Sequence, residues 1–209
     1  MAKTSTQQPR LSPKTLNLAR KAARDEKVLT GLFNDILSSK EKVRYGSFQA
    51  LVHLSETQPK ALYPTWDFFV GLLTGDHPSR KYIAIHILAR LTAVDGKQRF
   101  EKIFKEFYGL LDDPSVIPAA HVAGHSGMIA LAKPHLQTKI TNALLSIEET
   151  HHPPHRKELV KAYAMRSFSE YIDQAKRKKP IIEFARKQTK SESPSARKAA
   201  LRILDRWEK

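Results

Sequence analysis

Apolar residues recur at the spacing of an amphipathic helix after a turn at residues 75–79. Positions i, i+3, i+4 and i+7 of this stretch are all apolar or small: Ala84, Ile87, Leu88 and Leu91. Gly, Asp and Pro in the turn mark where the helix begins. Similar turn–helix units stand at 43–54 and 193–207. No segment alternates with period two for the length of a strand, so we predict an all-α fold.

The first helix is predicted to begin at Ser12–Pro13, with Ser12 as its N-cap and Pro13 at its first position. It runs to about Arg24, and a second helix follows from about Asp25 to Leu37. Residues 1–10 are polar and lack any apolar period, so we expect a disordered tail there.

A small residue returns at the centre of the first helix of each unit, with spacings of 37, 39, 39 and 38. These residues are Ser47, Ala84, Ala123, Ala162 and Ala200. A second apolar segment follows each of the middle units, at 63–73, 100–111, 135–147 and 179–186. One helix pair cannot bury its apolar face alone, so a period near forty predicts stacked helical repeats.

Three of the units resemble HEAT repeats: KVRYGSFQALVHLSE, DHPSRKYIAIHILARL and SPSARKAALRILDRW. Arg44, Lys81 and Arg197 occupy the basic position three residues before the central small residue. The resemblance covers about residues 25–209, although the third unit has no basic residue there and the fourth has Leu159. The resemblance implies an interaction scaffold, because most members of this family are such scaffolds. It does not specify one function.

We therefore predict a right-handed α-solenoid of about five HEAT-like helix pairs in a single domain over 11–209. The repeats are expected at about 11–38, 40–74, 76–111, 114–148 and 155–190, with a terminal helix at 194–208.

The net charge of +15 is concentrated at the two ends of the chain. Residues 151–209 contain 16 Lys and Arg against 7 Asp and Glu, a net charge of +9. This asymmetry favours an anionic partner, either nucleic acid or an acidic protein surface. The candidate binding residues are Lys176, Arg177, Lys178, Lys179, Arg186, Lys187, Lys190, Arg156, Lys157, Lys161, Arg197 and Lys198.

The N-terminal helix carries a secondary basic patch of Lys14, Arg20, Lys21 and Arg24, whose alternative interpretation is an ordinary solvent face. Aromatic residues near the C-terminal cations stand mostly at core spacing, which does not favour base stacking on a single strand. These aromatic residues are Tyr163, Phe168, Tyr171 and Phe184.

Histidines suggest a metal site only weakly. His121 and His125 are four residues apart on a predicted helix, and His151, His152 and His155 are expected in an exposed linker. The chain has no cysteine, which excludes disulfides and thiolate ligands, and it has no H-E-x-x-H motif. We therefore expect no metal and no cofactor.

No motif assigns catalytic residues, because phosphate-binding Gly-rich loops and nucleophile elbows are absent from the sequence. Gly124 and Gly127 are best explained by tight helix packing. The enzymatic alternative is a DNA alkylpurine glycosylase with HEAT-like repeats, for which Trp66 and Asp67 are the candidate pair. Their adjacent spacing argues against it, and we expect Trp66 in the core.

A protein–protein adaptor with no nucleic-acid role is the third class of function. The chain has no long uncharged apolar run, so we predict no membrane span. Its first residues lack the apolar core of a signal peptide. We expect a cytoplasmic protein, or a nucleoid or nuclear one if it binds nucleic acid.

Overall fold

The computed structural model describes residues 11–207, and the expected tail at 1–10 lies outside them. The described residues are helical and contain no strand, which confirms the all-α prediction. By its internal contacts the chain divides into two compact units, one ending at Pro64 and the other beginning at Thr65. The boundary falls inside the repeat expected at 40–74. The single domain over 11–209 stays a prediction.

From residue 11 onward, the first unit contains four helices, and the Ser12 cap agrees with the sequence. They are α1 (Pro13–Ala22), α2 (Glu26–Ile36), α3 (Glu41–Thr57) and α4 (Pro59–Leu62). The Ser12 hydroxyl accepts a hydrogen bond from the Thr15 N–H at 3.1 Å, which satisfies one unpaired amide of the first turn. The Asp25 carboxylate caps α2 in the same way. Helices α1 and α2 both pack on α3.

The second unit is built on four long helices, each packed on the next. These are α6 (Pro78–Leu91), α9 (Val116–Ala132), α11 (Pro154–Tyr171) and α13 (Pro194–Trp207). The shorter helices are α5 (Trp66–Thr74), α7 (Arg99–Lys102), α8 (Phe104–Gly109), α10 (Gln137–Leu145) and α12 (Lys179–Gln188). Helix α5 packs on α6, α10 on α9, and α12 on α13. Short 3₁₀ turns join several of these helices.

The small residues that define the repeat lie inside the protein. Ala84, Ala123 and Ala200 are fully buried, and Ser47 and Ala162 nearly so. The centre of each first helix therefore has room for a close neighbour. Buried aromatic side chains of the second unit fill the space between its helices, among them Trp66, Phe100 and Phe168.

The closest helix approach is between α9 and α11, and two glycines permit it. A Cβ on Gly124 would lie 2.7 Å from the Tyr163 ring, and one on Gly127 would lie 2.9 Å from the Ser167 carbonyl oxygen. The Ser167 hydroxyl donates to the Ala123 carbonyl oxygen at 2.6 Å across the same interface. Tight packing is therefore the role of both glycines, as the sequence indicated.

The basic position of the repeat has a structural role. Arg44 and Arg197 each donate to the carbonyl oxygens five and six residues earlier, in the turn that precedes their helix. Lys81 instead forms an ion pair with Asp113 of the next turn, at 2.6 Å. These side chains satisfy polar groups that the ends of the helices leave open.

Candidate functional site

The exposed face of α12 and the residues just after it carry four of the predicted basic residues. Lys179, Arg186, Lys187 and Lys190 are exposed, while Ile181, Phe184, Ala185 and Gln188 are buried against the unit. Their spacing places Lys179, Arg186 and Lys187 on one side of the helix, and Lys190 follows two residues after its end. Glu183 is the one acidic residue of this face, and its carboxylate lies 4.0 Å from the Lys179 ammonium group.

The loop before α12 continues this face. Lys176 and Arg177 are exposed and line a shallow groove beside α10, together with Gln137, Thr138, Thr141, Asn142, Ala175 and Pro180. The inner wall is fixed by hydrogen bonds, because Gln137 donates to the Ala130 carbonyl oxygen and Thr141 pairs with the Tyr171 hydroxyl at 2.7 Å. Thr138 and Asn142 are exposed at the rim. We call the six cations of this loop, of α12 and of the turn after it the α12 basic surface: Lys176, Arg177, Lys179, Arg186, Lys187 and Lys190.

Lys161, a predicted binding residue, is placed inside the protein. Its side chain is 7% exposed and forms ion pairs with Glu148 and Glu158, the latter at 2.8 Å. Burial by itself lowers the pKa of Lys161, but hydrogen bonds to both carboxylates outweigh burial and raise that pKa. Burial would likewise raise the pKa of Glu158, and hydrogen bonds from Lys161 and Ser191 lower it instead. The prediction that Lys161 belongs to the binding residues is therefore wrong, because two carboxylates inside the protein neutralise its ammonium group.

Three more predicted cations are engaged by the protein itself. Lys157 donates to the Glu148 carbonyl oxygen at 2.6 Å, and Arg197 donates to the Ser191 carbonyl oxygen at 2.7 Å. The Lys178 ammonium group lies 3.8 Å from the centre of the Trp207 ring, a cation–π contact. These side chains hold turns and helix ends in place, so we leave them out of the α12 basic surface.

The remaining basic candidates are exposed but stand apart in the chain. Arg156 lies in the first turn of α11, and Lys198 in the first half of α13. The secondary patch belongs to the first unit, where all four of its residues are exposed: Lys14, Arg20, Lys21 and Arg24.

Trp66 and Asp67 do not form a pocket of the kind that a glycosylase requires. Trp66 is 1% exposed and belongs to the core, as expected from the sequence. Asp67 points outward with 86% of its side chain exposed and pairs with Arg99. The Arg99 guanidinium also lies 5.6 Å from the centre of the Trp66 ring.

Aromatic side chains near the C-terminal cations are turned inward. Phe168, Tyr171 and Phe184 are buried, as their spacing predicts. Tyr163 is partly buried beneath the Arg166 guanidinium, which lies 5.2 Å from the ring centre. These four residues therefore offer no exposed platform for base stacking.

Three histidines converge where α6 packs on α9. His86 comes from α6, and His121 and His125 come from successive turns of α9. One ring nitrogen from each lies within 4.8 Å of the other two. The His86 Nε2 and His121 Nδ1 atoms are 3.1 Å apart, close enough for a hydrogen bond. The Tyr82 ring contacts two of these imidazoles, at 4.4 Å from the centre of His86 and 4.5 Å from that of His121.

The three histidines are half-buried, and burial is the main cause that lowers the pKa of each. Burial lowers the pKa of His121 to about 4, and burial together with the nearby Arg90 charge and His121 lowers that of His125 to about 3. The pKa of His86 is lowered even further by burial, by the two other imidazoles and by Arg90. Within the described residues, the buried His125 Nε2 atom has no hydrogen-bond partner. A buried polar atom left unpaired costs about 1–3 kcal/mol.

The linker histidines differ from expectation at one position. His151 and His155 are exposed, and His151 pairs with Asp112 at 2.6 Å. His152, in contrast, is 2% exposed, so the expectation of an exposed linker is wrong for this residue. Burial is the main cause that lowers its pKa.

Sequence reasoning missed the partnership of His86 with His121 and His125, although the repeat contains a signal for it. His86 stands two residues after Ala84, and His125 stands two residues after Ala123. Equivalent positions of neighbouring repeats lie at the same height on adjacent helices. The 39-residue spacing of the two histidines therefore predicts that they meet.

Comparisons with known proteins leave the family open. No family model matches the chain, and no curated protein matches it. One similar solved structure is the crystal structure of an engineered protein, with 16% sequence identity and a TM-score of 0.50 over 91% of this chain and 87% of that one. A likeness at this identity concerns the fold alone. Across residues 11–207, no helix combines the length and the apolar character that a membrane span requires.

Proposed function

We propose that this protein is a non-enzymatic helical-repeat scaffold that binds the phosphate backbone of nucleic acid through the α12 basic surface. The observation that carries the proposal is the concentration of six exposed cations on α12 and on the short segments just before and after it, with Glu183 as the only carboxylate on the exposed face of α12. Such a surface releases counterions from a phosphate backbone when it binds, which drives association at low salt.

The groove beside α10 adds directional contacts to this charge. Hydroxyl and amide groups bind phosphate oxygens together with Arg and Lys in protein–DNA complexes. Thr138 and Asn142 supply such groups next to Lys176 and Arg177. The groove is therefore suited to one phosphate group. The face of α12 is suited to the adjacent phosphate groups of the same strand.

The proposed arrangement is a right-handed solenoid of HEAT-like helix pairs. Its support is the burial of small residues at equivalent repeat positions and the sequential packing of α6, α9, α11 and α13. In such stacks a helix of each pair contributes to a continuous surface. The four aromatic residues near the C-terminal cations offer no exposed stacking platform, so this surface favours backbone contacts and little sequence preference.

The test is fluorescence anisotropy with labelled duplex DNA, single-stranded DNA and RNA in a salt series. One variant removes four cations of the α12 basic surface (Lys176→Gln, Arg177→Gln, Arg186→Gln and Lys190→Gln). A matched control removes two lysines and two arginines from the secondary patch (Lys14→Gln, Arg20→Gln, Lys21→Gln and Arg24→Gln). We expect the first variant to lose most of its affinity and the control to retain it. Equal losses in both variants would contradict a defined binding surface.

A protein–protein adaptor is the second candidate, and exposed apolar side chains favour it. Ile117 on α9, Leu159 on α11 and Leu201 on α13 are 50%, 44% and 57% exposed. Absence of nucleic-acid binding at low salt would support this function over the first. A glycosylase would reveal itself by abasic products after incubation with alkylated DNA, and we expect none.

A further inference from the structure

We propose that His86, His121 and His125 form a binding site for a divalent transition-metal ion, with Zn²⁺ as the favoured metal. The site goes beyond the proposed nucleic-acid function, because it uses neither α12 nor any cation of its surface. It also departs from the absence of a metal site that we expected from the sequence.

The geometry of the three imidazoles is close to that of a zinc site. Tetrahedral Zn²⁺ with Zn–N distances of 2.0–2.1 Å holds its ligand nitrogens about 3.3 Å apart. The His86 and His121 nitrogens are already 3.1 Å apart, and all three ligand nitrogens lie within 4.8 Å of one another. The third nitrogen lies within 4.8 Å of the other two, so a side-chain rotation would have to bring it to this spacing.

The helix frame holds these ligands near that geometry. His121 and His125 are four residues apart on α9, so they project from the same side of one helix. His86 approaches from α6, which packs directly on α9. The Tyr82 ring restricts the orientation of His86 and His121 by contact with both.

A metal ion explains a polar atom that the protein otherwise leaves without a partner. The His125 Nε2 atom is buried and accepts or donates no hydrogen bond within the described part of the chain. Buried side-chain nitrogens are normally paired, so an exception calls for an explanation. Coordination to a metal ion would satisfy this nitrogen.

The donor set determines the class of metal. Three neutral imidazoles suit Zn²⁺, Cu²⁺ or Ni²⁺, whereas Ca²⁺ and Mg²⁺ require oxygen ligands. Three protein ligands leave the fourth position of a tetrahedral ion for water or another small ligand. The Arg90 guanidinium donates to the His86 carbonyl oxygen at 2.9 Å, so its charge stands beside the cluster, opposes a bare cation and favours an anionic fourth ligand.

The experiment is calorimetric titration of the full chain, prepared without a polyhistidine tag, with Zn²⁺. We compare the wild type with His121→Gln, His125→Gln and a control that removes two histidines of the exposed linker (His151→Gln with His155→Gln). We expect one equivalent of Zn²⁺ in the wild type. Each cluster variant should lose at least about 100-fold in affinity, since even outer-shell changes cost 10–100-fold. The control should bind like the wild type.

Circular dichroism reports whether each variant folds, and Co²⁺ gives a readout that needs no variant. Tetrahedral Co²⁺ bound to the wild type should show intense visible absorption bands and should be displaced by one equivalent of Zn²⁺. The proposal is overturned if the wild type binds no stoichiometric Zn²⁺, if the linker control loses as much affinity as folded cluster variants, or if the Co²⁺ spectrum is that of an octahedral aqua ion.

Discussion

Lys161→Met should destabilise the fold and spare the binding surface. The substitution keeps most of the apolar stem but removes the ammonium group shared by Glu148 and Glu158. Removing one partner of a buried ion pair costs about 3–5 kcal/mol. Glu148 is 57% exposed and returns to water, and Glu158 retains the Ser191 hydroxyl as a donor. We therefore expect a loss of about 2–3 kcal/mol, below the full range for a buried pair.

Urea unfolding followed by circular dichroism measures this loss at pH 7, with an unchanged m-value as the check on two-state behaviour. The double variant Lys161→Met with Glu158→Gln should lose less than Lys161→Met alone, because the partly buried Glu158 carboxylate is replaced by a neutral amide and the remaining carboxylate, that of Glu148, is exposed. A loss below about 0.5 kcal/mol, the ordinary range for surface substitutions, would refute the buried ion pair.

The same pair should make this loss depend on pH. The pKa of Glu158 is lowered in the folded protein. The contribution of Glu158 to stability is therefore present above the ordinary pKa of 4.5 and is lost as the pH falls through the lower folded value. The pKa of Lys161 is raised in the folded protein. The contribution of Lys161 to stability is therefore present below the ordinary pKa of 10.5 and is lost as the pH rises through the higher folded value. The difference in stability between wild type and Lys161→Met should therefore be largest between these limits and shrink in acid. A difference that grows in acid would contradict this assignment.

Two further substitutions test the packing of the second unit by urea unfolding. Lys133→Met should cost about 3 kcal/mol, because it removes the ammonium group that lies 2.9 Å from the fully buried Asp95 carboxylate; an unchanged midpoint would contradict this. Gly127→Ala should cost about 1–2 kcal/mol, since a Cβ 2.9 Å from the Ser167 carbonyl oxygen overpacks the α9–α11 interface. The matched control Gly71→Ala has open space and should gain up to about 1 kcal/mol; a loss equal to that of Gly127→Ala would contradict the packing argument.

The helical class and the inward positions could be predicted because they depend on periodicity. Ala84, Ala123 and Ala200 are buried at the repeat spacing, and Ser12 caps α1 as its chemistry requires. The second apolar segment of the third pair, at 100–111, was predicted less well. The segment expected as one helix at 100–111 is broken at Ile103 into α7 and α8, and tertiary packing of its aromatic residues overrides the helical period.

The binding candidates could be predicted only in part, because a basic residue carries no sign of its burial in the sequence. Lys161 and Lys187 were both predicted as binding residues, yet one is buried beside two carboxylates and the other is exposed. The partners of Lys161 come from α11 itself and from the 3₁₀ turn Ser146–Glu149. Only the folded chain brings these acidic residues together.

The most direct test of the central claim is the salt dependence of duplex DNA binding by the wild type. If all six cations of the α12 basic surface contact phosphates, the logarithm of the association constant should fall with the logarithm of salt concentration with a slope of about −5. The variant that removes four of these cations should flatten the slope to about −2. No binding at low salt, or an equal slope in wild type and variant, would contradict nucleic-acid binding through this surface.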